Sequence, residues 1–245
     1  MSLELIIVFS VALLAGGIAS ISGFGIGSLL TPLLSTHVDL QLAVAAVSIP
    51  HLLGTLVRFL FVRKHVRKDV FISFGVWSAV GGIAGALLHN IANDPMLVIV
   101  FACLLILAGL TGVSGLSEKL RFPPEYAWLA GSISGAFGGL VGNQGGIRAA
   151  ALLGINLTRD EFVATATGIA LVVDAARMPV YFARFSTQLL QFWLPITVAT
   201  AGVLLGTCLG KSVLQKIPEK IFKRSVAMLI LILGLSMIIS HLQIG

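Results

Sequence analysis

The 245-residue chain is 57% hydrophobic and only 11% charged, with a mean hydropathy of +1.03, which excludes an ordinary water-soluble domain. Its net charge of +6 sits mainly in short segments between apolar runs, where it orients a chain in a bilayer and implies no nucleic-acid partner. The runs recur from end to end, each close to the roughly 20 residues that cross a ~30 Å hydrocarbon core. In chain order they fall at 3–22, 40–62, 70–89, 96–116, 126–142, 160–183, 187–210 and 222–241. The first lacks a basic leader and a small-residue cleavage site, so it reads as a retained helix. Cys103 and Cys208 lie inside runs without metal-ligand or redox spacing and are expected to pack inside. The fold class is all-α, that of a polytopic membrane protein.

Behind the first run comes GFGIGSLLTP at 23–32, where three alternating glycines interrupt a helix that has already reached bilayer length. Shifting the chain by 119 positions lays this stretch over GNQGGIRAAA, matching Gly23 to Gly142 and Gly27 to Gly146, and further on Arg58 to Arg177. The glycine and arginine matches are informative in a sequence where aliphatic matches are common. They point to an internal duplication, with repeat one at 1–116, a linker at 117–125 and repeat two at 126–245.

Lysine and arginine bias sets membrane orientation. If the eight runs simply alternated across the bilayer, the basic residues would divide almost evenly between the two sides. If instead residues 3–36 and 126–157 are hairpins that return to the side they entered from, the segments 63–68, 117–125, 156–160 and 211–224 share one side with twelve Lys and Arg, and only Arg184, in a 183–187 loop, lies opposite. That skew selects two inverted repeats, each a glycine-broken re-entrant hairpin plus three transmembrane helices, with both termini on the non-cytoplasmic side. Glycine suits the tips because the backbone must bend sharply and approach other backbone there. The pair Gly16-Gly17 is a candidate bend in the first arm.

A helix that begins inside the membrane carries unpartnered N–H groups and the positive end of its dipole, which together accept an anion. Both returning arms begin so, near Gly27 and Gly146, and inverted repeats would bring the two starts together near the midplane. The candidate substrate site is therefore Gly23, Gly25, Gly27 and Pro32 from the first tip with Gly142, Asn143, Gln144, Gly145, Gly146 and Arg148 from the second. Arg148, in the arm and far from any loop, has two readings: contact with substrate, or bonds to carbonyls of the tip. His51, Arg58, Asp174 and Arg177 are candidates for gating or ion coupling. The competing readings are a hydrogen-bonded core histidine, arginines that snorkel to the headgroups, and an Asp174–Arg177 pair one helical turn apart. Small-residue packing between helices is the alternative role for the glycines.

No GxSxG, HExxH or Walker loop occurs and Asp174 stands alone as a carboxylate deep inside a run, so an enzyme is not expected, nor a metal or other cofactor. The glycine-rich tip that keeps Gly23, Gly25, Gly27 and Pro32, its degenerate copy GNQGG with Ala151 in place of the proline, and the basic segments around two four-run halves resemble the TauE/SafE family of sulfite exporters and anion permeases. The resemblance spans essentially the whole chain. It implies a multi-pass carrier of the cell inner membrane that exports sulfite or a small organosulfonate by alternating access, driven by an ion gradient with the proton as candidate coupling ion. Residue chemistry alone yields a small anion, and the resemblance supplies the sulfur. The expected partners are that anion, a coupling ion and the lipid bilayer, with a homodimer left open. An anion channel and a non-transporting membrane assembly protein are the alternatives.

Overall fold

A computed structural model describes residues 3–35, 37–88, 99, 102–103, 105–107, 109–110, 113–115, 126–141, 145–214 and 216–244. Its helices are α1 (Leu3–Ser22), α2 (Ile26–Ser35), α3 (Leu40–Val62), α4 (Lys68–Leu87), α5 (Ala127–Val141), α6 (Gly145–Leu153), α7 (Arg159–Gln191), α8 (Trp193–Leu214) and α9 (Glu219–Ile244), with a basic 3₁₀ turn at Arg63–His65 joining α3 to α4. No strand occurs among the described residues. Five helices, α1, α3, α4, α7 and α8, are long and apolar enough to cross a membrane. The expected runs at 126–142 and 222–241 correspond to α5 and α9, and 96–116 is described only in short pieces.

Local chemistry sets the boundaries. Thr158 opens α7 with a capping box: its hydroxyl accepts from the Glu161 N–H at 3.3 Å, and its own N–H donates to the Glu161 carboxylate at 2.9 Å. The expected loop at 183–187 is absent. The helix runs through Pro179 and carries Arg184 onward to Gln191, where the Pro195 ring would clash with the carbonyl four residues back. At 33 residues, α7 is about 50 Å long at 1.5 Å per residue, well beyond the ~30 Å of hydrocarbon.

After Ser22 the chain reverses. Gly23 and Gly25 take φ of 82° and 131°, values that a side chain disfavours. Gly25 then lies back against Ile18 and the Ala19 backbone. The Ser22 hydroxyl donates to the Phe24 carbonyl at 2.7 Å, occupying an acceptor that the turn exposes. The arm that follows, α2, has 10 residues and so reaches about 15 Å, half the hydrocarbon thickness.

Two glycine-lined interfaces join the two halves of the chain. Gly16 faces the Val203 carbonyl, Gly202 that of Phe9, Gly206 that of Leu13 and Gly210 that of Gly17, so α1 and α8 run parallel with their backbones in contact. Gly131, Gly135 and Gly139 face the carbonyls of Phe74, Ser78 and Gly82, and α4 and α5 are parallel too. Small residues allow such approach where lipid supplies no hydrophobic drive between helices. Between these layers α3 and α7 cross antiparallel, Ser48 meeting Met178, His51 meeting Asp174 and Arg58 meeting Thr167. The starts of α2 and α3, Ile26 and Leu40, precede those of α6 and α7, Gly145 and Arg159, by the same 119 positions as the sequence match.

Gly16-Gly17 does not interrupt α1, which is continuous through the pair; Gly16 is needed instead for contact with α8. Cys103 and Cys208 lie exposed on the outer surface rather than inside, where a weakly polar thiol is tolerated by lipid. The two adjacent glycines should respond oppositely to a methyl group. A Cβ on Gly16 would overlap the Val203 carbonyl oxygen, whereas one on Gly17 would sit 3.7 Å from the Gly206 carbonyl oxygen. Gly16→Ala is therefore expected to cost about 1–3 kcal/mol through overpacking, and Gly17→Ala to be neutral or to gain up to about 1 kcal/mol of helix propensity. Thermal unfolding of the detergent-purified variants measures both.

Candidate functional site

Gly142, Asn143 and Gln144 lie outside the described residues. The remaining tip candidates are found at two helix starts: Gly23 and Gly25 in the turn, Gly27 in the first turn of α2 with Pro32 further along it, and Gly145, Gly146 and Arg148 in the first turn of α6. The two starts touch. Buried Phe24 packs so tightly on Gly145 that a Cβ there would overlap the Phe24 Cβ. A Cβ on Gly146 would approach Leu105 Cδ2 to 2.6 Å.

Arg58 and Arg177, which the sequence allowed to snorkel, point inward and are each 2% exposed. Arg58 donates through Nη1 to the Ala19 carbonyl at 2.6 Å, through Nη2 to that of Gly23 at 3.4 Å and through Nε to the Thr167 hydroxyl at 2.9 Å. Arg177 donates through Nη1 to the Gly138 carbonyl at 2.6 Å and through Nη2 to Asp174 Oδ1 at 2.8 Å, and Tyr181 donates to the Gly139 carbonyl at 2.9 Å. Ala19 and Gly138 are themselves 119 positions apart, so the matched arginines make the matched bond. Each guanidinium reaches the last turn of a helix, α1 or α5, where the dipole is negative and a cation is favourable. The excluded reading fails on geometry: long side chains leave the interior only when their heads find nothing there, and these heads are held by carbonyls.

Asp174 is fully buried and is shared. Its Oδ1 accepts from Arg177, as the turn spacing predicts, and its Oδ2 lies 2.5 Å from His51 Nδ1. His51 is thus a hydrogen-bonded core residue with a carboxylate partner on another helix.

Arg148 differs from the other two in degree. It is 1% exposed, yet both its Nε and its Nη1 have no hydrogen-bond partner, whereas Arg177 leaves only Nε unpartnered, so neither Arg148 atom bonds a tip carbonyl. It lies within electrostatic reach of Arg58, Asp174 and Arg177. The described core therefore holds three buried arginines against one buried aspartate, an excess of two positive charges with His51 neutral. A buried charge without a partner costs several kcal/mol, and a bound anion removes that cost.

Sequence reasoning missed other polar groups. Thr167 and Tyr181 are recognisable only through their contacts, although Thr167 lies 119 positions from Ser48 and Tyr181 sits one turn past Arg177. The buried hydroxyls of Thr31, Thr55 and Thr207 have no partner, and of these the repeat arithmetic singles out only Thr55, opposite Asp174.

No curated protein and no solved structure matches the chain. A family profile described as sulfite exporter TauE/SafE matches residues 8–237, which include both tips, all four central ionisable positions and Arg148. Over that length, and with the multi-pass helical architecture described above, the chain belongs to the TauE/SafE family of membrane sulfite and anion exporters.

Proposed function

We propose that this protein exports a small anion, sulfite or a small organosulfonate, across the cell inner membrane by alternating access at the contact between the two helix starts. The observation that carries the reading is Arg148: a buried guanidinium with two unpartnered nitrogens in the first turn of α6. Backbone N–H groups of the same turn and the positive end of the dipole add to it, and an oxyanion can accept from both. A planar fork of donors suits the geometry of a sulfur oxyanion better than a point charge does.

The transport cycle in this reading uses two inverted repeats, 1–116 and 126–245, joined by 117–125. Four observations support the inversion: the common 119-residue offset of helix starts, the duplicated arginine bonds, the antiparallel crossing of α3 with its counterpart α7, and the twelve-to-one charge skew. Both termini then face the non-cytoplasmic side. Discontinuous helices that meet near the midplane are a recurrent binding arrangement in such carriers.

Counterflow in proteoliposomes tests the function, with sulfite, sulfate, thiosulfate, sulfoacetate and a monocarboxylate compared. Saturable flux stimulated from the trans side is expected, in contrast to the behaviour of a channel. Arg148→Ala should reduce that flux by at least about tenfold, the scale of one lost charge-assisted bond, while Arg148→Lys retains part of it; wild-type flux in Arg148→Ala removes the site. Topology is tested separately by single cysteines at exposed His37 and Asn156, positions related by the repeat, after replacement of Cys103 and Cys208. The two should label from opposite sides of the membrane. Labelling from one side abolishes the inversion.

A further inference from the structure

We infer that His51 and Asp174 form a proton-binding site, one per molecule, whose occupancy is coupled to that of the anion site at Arg148. This inference rests on the anion-site reading above. The pair spans α3 and α7, with the ring and the carboxylate both buried. His51 Nδ1 is committed to Asp174 Oδ2, and Oδ1 of the same carboxylate is committed to Arg177. The ring position left for an incoming proton is Nε2. Binding there converts a neutral imidazole beside a carboxylate into an imidazolium–carboxylate pair, with no other bond broken.

The charged and titratable groups around the pair are few. Arg58 comes from α3, Arg177 and Tyr181 from α7, and Arg148 from α6; no other described helix brings a buried ionisable side chain to it. With the ring neutral this core carries an excess of two positive charges, and with the ring protonated an excess of three. Charges inside a membrane protein are poorly screened. Each proton therefore favours the anion and, by reciprocity, each anion favours the proton.

Repeat asymmetry sets the count at one. The positions 119 residues from His51 and Asp174 hold Ala170 and Thr55, so the counterpart of the pair is a methyl group and a hydroxyl without a partner. Likewise Arg58, the counterpart of Arg177, bonds the Thr167 hydroxyl where Arg177 bonds a carboxylate. The duplicated framework has kept its two capping arginines and a single titratable pair.

Calorimetric titration of the purified full-length protein with ethanesulfonate and with sulfate tests this, because neither probe changes charge between about pH 5.5 and 8, the range in which histidine titrates. Runs in two buffers of different ionisation enthalpy count protons. In the wild type, affinity should rise toward acid by up to about tenfold per pH unit, with uptake approaching one proton per anion. In His51→Asn, which can still donate to Asp174, the pH slope should flatten and the uptake vanish; His51→Gln serves if that variant does not fold. Anion binding without proton uptake in the wild type overturns the coupling while leaving the anion site intact. Persistent uptake in His51→Asn overturns the assignment to this pair. Binding of neither probe at any pH overturns the anion-site reading itself.

Discussion

A helix that stops inside the protein presents a negative end with no water to receive it, and everything else in this structure depends on how that end is met. Here it is met twice by the same device. An arginine from the following long helix, Arg58 or Arg177, bonds a carbonyl 39 residues behind it, Ala19 or Gly138. The bond fixes where α1 and α5 end relative to α3 and α7. Gly23 and Gly25 can then turn the chain within three residues and start α2 against α1. Without these cations the buried turns would hold bare dipole ends and unpaired carbonyls.

Neutralising only the negative ends has an electrical consequence. The helix starts that follow each turn keep their positive character, and the contact of Phe24 with Gly145 brings the two starts together. Arg148 adds a whole charge at the same place, with no carbonyl bonded to Nε or Nη1. Asp174 offsets one arginine and engages His51 as well. The two halves thus differ in charge pattern: one contributes the histidine, the other the aspartate and the guanidinium with two unpartnered nitrogens.

Much of this was legible in the residues. Alternating glycines after a run of bilayer length marked the first turn, and the 119-residue match located its counterpart, because arginine is rare and costly inside an apolar run and Arg58 and Arg177 fall in the same register as the glycines. The Asp174–Arg177 pair followed from helical spacing alone. The partnership of His51 with Asp174 did not, since it joins residues 123 apart on helices whose crossing is set by packing. Nor did the inward course of Arg58 and Arg177, because a long side chain near a loop has two destinations and only the position of the carbonyls decides between them. The continuation of α7 through Arg184 was obscured by polar residues that suggested a loop, while the true stop, Pro195, acts four residues upstream of itself. Gly135 and Gly206, whose backbones meet Ser78 and Leu13, were not singled out by the sequence pattern, because a packing glycine does not name its partner helix.

The glycine seams also decide what can move. Besides its contacts within its own half, α1 lies along α8 of the other half, and α5 along α4. A tilt of one half therefore carries the helix seated against it, and the two halves are geared together rather than hinged separately. Such gearing makes the chain a single machine, one whose halves, produced as separate polypeptides, would each present an unclad strip of exposed backbone until they found the other.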